Sequence, residues 1–193
     1  MSTTESISGA QQSHASAGRD LAGRDINNVT NYNSAPRAAG VIEQLLEKLH
    51  SEIDENAQVR DVVEKLQRYH QKKVHDGVVG LEAKLEKAGR AASYIDAIEM
   101  KEMFAKLLEQ WSLYASAQLI FIYLLARAER QFNDIILPQM PILDAVGINK
   151  LTNELIVEPA VMECGASVFE LDHNTALGMV YWLAEQCFVR WHK

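Results

Sequence analysis

Arg68 and His75 are the first residues in this chain whose types and spacing could do chemistry. The run Arg68-Tyr69-His70-Gln71-Lys72-Lys73-Val74-His75 sets an arginine seven positions before a histidine. A guanidinium stabilises phosphate charge, and a histidine titrating near neutrality can act as general acid or base. A metal set could be assembled from Cys164, His173, Cys187 and His192, but the spacings C-x8-H and C-x4-H match no zinc pattern. Both cysteines sit in apolar runs, so reduced core thiols are expected, with no metal and no cofactor. Asp20 and Asp25 could hold a cation weakly, yet Arg19 and Arg24 beside them give simpler charge pairing. Gly77, Gly80 and Gly89 lack the strand-then-helix setting of a phosphate loop, and no Gly-x-Ser-x-Gly elbow is present.

The Arg68–His75 spacing resembles that of helical ribonucleases of the HEPN class, which implies an arginine that steadies phosphate and a histidine that moves the proton. That class carries a small polar residue after the arginine, and here Tyr69 stands there. In a helical chain rich in Arg and Lys such a spacing arises readily by chance, and a solvated helix face is the simpler account. The expectation is a protein that is not an enzyme, with no catalytic residue. A HEPN-like ribonuclease is the alternative, and a sponge or inhibitor binding a small signalling ligand between helices is another.

The elements that would position any site fall into two parts, residues 1–36 and 37–193. The first 36 residues are rich in Ser, Thr, Gly, Asn and Gln and poor in large apolar groups. Within them lies a five-residue tandem repeat, Ala17-Gly18-Arg19-Asp20-Leu21 then Ala22-Gly23-Arg24-Asp25-Ile26. Val29 and Tyr32 follow as the next sizeable apolar side chains. Two short repeats cannot bury a core alone, so the pattern predicts stacking with copies from other chains. Leu21 and Ile26 would point inward, and Arg and Asp would pair between copies. The expected device is a β-type oligomerisation arm built on Gly18, Arg19, Asp20, Leu21, Gly23, Arg24, Asp25, Ile26, Val29 and Tyr32. The competing account is a disordered arm with a chance duplication.

Size and charge narrow the classes further. The chain has 193 residues, 48% hydrophobic and 23% charged, ordinary values for a soluble globular protein. A net charge of −7 and a pI near 5.4 argue against a general nucleic-acid binder. No basic segment followed by an apolar one marks a secretion signal, and the longest uncharged apolar run, Trp111–Ala126, is shorter than the ~20 residues that cross a bilayer. A cytoplasmic protein that does not enter the membrane is expected.

From Arg37 onward the periodicity is helical, and an all-α bundle of about six to eight helices is expected. Ile42, Leu45, Leu46, Leu49 and Ile53 form one stripe, which Asn56 interrupts; Val59, Val62, Val63, Leu66 and Tyr69 form a second. Leu81 and Leu85 mark a short piece before Gly89. Residues 93–132 read as one long helical pattern that would span about 60 Å unbroken, so a bend is predicted. Pro138 and Pro141 end it, and Pro159 is placed to open a later helix at its first position. Leu177–Lys193 reads as a final helix buried on several sides, capped by Asn174 or Thr175, with Arg190, His192 and Lys193 in its last turn. Trp111, Trp182 and Trp191 lie on apolar faces. Packing is their expected role, with partial exposure the alternative for Trp191, next to Arg190 and His192; Tyr181, Arg190, Trp191 and His192 are the candidate partner-binding residues.

The pattern Gly178-Met-Val-Tyr181-Trp-Leu183-Ala-Glu-Gln-Cys187-Phe-Val-Arg190-Trp191-His192 resembles the helical C-terminal domain of bacterial three-component ABC-ATPase conflict systems, which serve in antiphage defence. The Leu137-Pro138 break and the Ile156–Pro159 run are similar too, and the likeness covers Arg37–Lys193, sharpest over the last sixteen residues. Such domains are attached to variable effectors and couple them to a small middle component and an ABC-type ATPase. The resemblance implies those two proteins as partners, and the repeat in the arm predicts a homo-oligomer. Where an effector would stand, this chain has the Gly-Arg-Asp arm, so any effector chemistry is expected in another component. The resulting expectation is a non-enzymatic adaptor that oligomerises through the arm and docks a partner through the helical body.

Overall fold

The computed structural model describes residues 39–73 and 77–191. Among them the architecture is all-α, with seven helices and no strand. The predicted arm residues Gly18 to Tyr32 lie outside the described residues, as do His75 and His192. Residues from Ala39 onward form one compact unit.

Helix α1, Val41–Asp54, follows from the first apolar stripe, with Ile42 and Leu49 buried. The Gly40 amide donates to Glu43 Oε2 at 3.2 Å, and the helix ends ahead of Asn56, whose φ of 52° is left-handed. Asn reaches that region more easily than most side chains. The second stripe is helical only in its latter half, as α2, Glu64–His70. Residues 59–63 are not helical, because a buried amide holds their backbone. Gln118 Oε1 accepts from the Val63 amide at 2.6 Å, and Gln118 Nε2 donates to Asp61 O at 3.2 Å. The Val59 amide donates to Leu113 O.

Helix α3, Leu81–Lys87, sits between Gly80 and Gly89, with φ of +86° and +70°. A 3₁₀ turn, Ala91–Ser93, leads into α4, Tyr94–Trp111. The long pattern that follows is broken at residues 112–114 rather than bent. Ser112 folds its hydroxyl back onto Leu108 O, and Ser116 gives both its amide and its hydroxyl to the Glu52 carboxylate of α1. Helix α5 spans residues 115–139 as Ala115–Gln131, a π-helical turn Phe132–Ile136, and Leu137–Gln139. Helix α6 spans residues 145–164 in the same manner, with its π turn at Asn153–Val157.

The two π turns bear differently on the expected roles of Pro138 and Pro159. Each proline stands two residues past a π turn; α5 ends at Gln139, directly after Pro138, as expected, whereas Pro159 lies inside the continuing α6, where it was expected to open a helix. Proline lacks an amide hydrogen and crowds the carbonyl four residues back; a widened turn ahead of it relieves both.

Helix α7 is His173–Glu185. Its cap is Asp172, whose Oδ1 accepts from the Thr175 amide at 2.7 Å, rather than Asn174 or Thr175. It packs along α4 and also against α3, α5 and α6, so most of its side chains are buried. Gly178 marks the closest approach: a Cβ there would stand 2.6 Å from the Met100 carbonyl carbon of α4. Residues 186–191 of the predicted continuation are not helical. Cys187 has φ of 64°, and the Phe188 and Cys187 amides donate to Leu183 O and Ala184 O. This reversal is a Schellman turn formed without glycine. Its left-handed residue costs about 1–2 kcal/mol. Burying Phe188 and Trp191 outweighs that, at about 1.5–3 kcal/mol or more for each. Arg190 therefore lies past the helix rather than in its last turn.

The buried Lys84 of α3 holds the turn, donating its ammonium to Ala184 O and, at 3.3 Å, to Val189 O. Glu185 joins the same corner, accepting from Lys72 Nζ at 2.8 Å and from the Leu81 amide at 2.7 Å. Burial opposes its charge, but these donors win and hold its pKa below the ordinary value.

Candidate functional site

The tail after α7 lays Trp191 against Phe132 of the α5 π turn, ring centroids 5.0 Å apart, and beside Tyr181 of α7 at 5.7 Å. Trp191 is 4% exposed, so its indole closes the core and is not the partly exposed ring that its place near the chain end suggested. Tyr181 is half-buried and Arg190 exposed. The Tyr181 phenol has a raised pKa because burial disfavours its anion. Tyr181 and Trp191 thus come together; His192 lies outside the described residues.

Residues that sequence reasoning missed complete this corner. Arg90, just past the left-handed Gly89, lays its guanidinium over the Trp191 ring at 4.9 Å and donates from Nη2 to Asn149 Oδ1 of α6. A hollow of about 390 Å³ lies on one side, lined by Lys87, Arg90, Met140, Leu143, Ile148 and Trp191 among others. On the other lies a hollow of about 340 Å³ with a more polar lining that includes Ser93, Asn149, Asn153, His173 and Tyr181. Arg90 and Trp191 line both. The Trp191 Nε1 hydrogen is buried without an acceptor. No periodicity points to Arg90, since its importance comes from a contact with a residue a hundred positions on.

The other candidate constellations are placed as follows. Arg68 is held by Glu129 of α5, with Nη2 at 3.1 Å from Oε1 and 3.3 Å from Oε2. Tyr69 donates its hydroxyl to the same carboxylate at 3.0 Å, and Lys73 Nζ stands 3.4 Å away. Lys73 also lies 4.1 Å over the Phe188 ring, so this cluster braces α2 and the tail against α5. Cys164 and Cys187 are free and buried, and burial pushes the Cys164 thiol up to about 12. Among the described residues no group of His, Cys, Asp and Glu is placed to hold a metal ion, and no helix is long and apolar enough to cross a membrane.

Comparison with curated proteins and with solved structures finds no match. A family match does exist, over residues 80–191, to C-terminal domain 9 of the ABC-three component (ABC-3C) systems. The matched segment runs from Gly80 at the start of α3 to Trp191, and so takes in Arg90, both hollows and the Schellman turn. These are systems of biological conflict and defence, as the resemblance implied. The chain belongs to the C-terminal domain 9 family of the ABC-three component systems.

Proposed function

We propose that this protein is a non-enzymatic adaptor of its ABC-three component system, docking a partner through the helical body and clustering several bodies through the N-terminal repeat. The observation that carries the reading is the corner around Trp191. An aromatic ring and an arginine sit at the centre of a two-part groove, and Ile142 and Val146 stand 81% and 73% exposed near it. Buried aromatic and arginine anchors with apolar surroundings are the usual make-up of an interaction hot spot. Membership of a multi-component family supports partner proteins in general; the partners in this reading are a middle-component protein and an ABC-type ATPase.

The arm acts separately. Gly18, Arg19, Asp20, Leu21, Gly23, Arg24, Asp25, Ile26, Val29 and Tyr32 form its stacking unit, and copies assembled through it raise a weak docking contact by avidity. Tyr181, Arg190, Trp191 and His192 belong to the docking end. Multi-angle light scattering tests the arm, comparing the full chain with one beginning at Arg37. A discrete oligomer that becomes smaller on truncation is expected. Two monomers, or the same oligomer from both, would refute the assignment.

A further inference from the structure

We propose that the groove around Arg90 and Trp191 takes an acidic segment of the partner protein that carries a large apolar side chain; this rests on the adaptor reading. The apolar side chain enters the hollow over Met140, Leu143 and Ile148, and a carboxylate meets Lys87 and Arg90 at its rim.

Three observations carry the choice of occupant. The chain has 26 acidic and 19 basic residues, yet the described lining of the two hollows holds Lys87 and Arg90 and no carboxylate. An acidic partner finds attraction there without a facing carboxylate in the lining to oppose it. Arg90 is also held in place, its plane lying over Trp191 and one amino group given to Asn149. A side chain already ordered in this way loses less entropy on accepting a carboxylate, and its remaining N–H groups suit bidentate contact. Finally, the apolar floor continues onto an exposed shelf. Ala145 and Ile148 line the first hollow from α6, and Val146 lies on the flank of that stripe, three residues before Asn149. With Ile142 it supplies apolar surface where a bound segment would rest.

The test is isothermal titration of the full chain with the purified middle-component protein of the same system, at low and at high salt. The variants are V146D and I142D, whose side chains are exposed and leave the core intact, together with R90E. Wild-type binding that weakens with salt, and that falls about 10- to 100-fold in each variant, is the expected result. Wild-type binding left unchanged by all three variants would overturn the groove assignment while leaving the adaptor reading standing. Tighter binding by R90E would mean a basic occupant and would overturn the acidic one. Self-association of the isolated chain that V146D abolishes would make the occupant a second copy, and would likewise overturn it. Absence of any wild-type binding would sink the adaptor reading and this inference with it.

Discussion

Replacing Gly178 by alanine tests the packing on which the rest of the helical body depends. The added Cβ would lie 2.6 Å from the Met100 carbonyl carbon. Ordinary carbon contacts fall at about 3.5–4.0 Å, so α4 and α7 must part by roughly 1 Å. The obstacle is backbone within a helix, which cannot rotate away as a side chain does. Overpacking of this kind costs about 1–3 kcal/mol, and a rigid obstacle belongs at or above the upper end. Alanine regains about 1 kcal/mol of helix propensity over glycine. The net expectation is a loss of about 2 kcal/mol. At about 2–4 °C per kcal/mol for a chain of this length, Tm should fall about 4–8 °C by circular dichroism melting. Gly178→Val should melt lower still, since it enlarges the clash and gives back helix propensity. A Gly178→Ala protein melting at or above the wild type would refute the close approach of α4 and α7.

Further perturbations follow from single contacts. Glu129→Ala leaves the buried Tyr69 hydroxyl without its acceptor and should cost about 1–3 kcal/mol in chemical denaturation; Tyr69→Phe should add much less in that background than in the wild type. Glu185 has a lowered pKa, so its stabilising effect is present above its ordinary value of 4.5 and is lost as pH falls through the folded value. The Tm difference between wild type and Glu185→Gln should therefore be largest near neutrality and narrow below pH 4.5; an unchanged difference would contradict the ion pair. Cys164 and Cys187 should resist a thiol reagent at pH 8 in the folded protein and both react once it is denatured.

What was legible in the sequence was whatever depended on local periodicity. The stripe Ile42 to Ile53 gave α1, and glycines 80 and 89 bracketed α3. The pattern Gly178 to His192 carried the family resemblance, which the match over residues 80–191 bears out. What failed to show depended on partners far along the chain. Val59–Val63 has helical spacing, but Gln118 and Leu113 O bond its backbone in another form. Phe188 and Trp191 continue a helical stripe on paper, yet Lys84 ties Ala184 O and Val189 O together across the reversal. Pro159 read as the start of a helix because a π turn leaves no mark in hydrophobic spacing. Of the candidate docking residues, Tyr181 and Trp191 do lie side by side, with ring centroids 5.7 Å apart. Arg90 was missed because its role is a cation–π contact across a hundred residues.

The most direct test of the adaptor account is dissociation from a surface bearing the middle-component protein, measured for the full chain and for a chain beginning at Arg37. Both should bind through the helical body, and the full chain should hold on about 100- to 10,000-fold more tightly through avidity. Equal dissociation of the two would contradict clustering by the arm, and binding by neither would contradict the adaptor role itself.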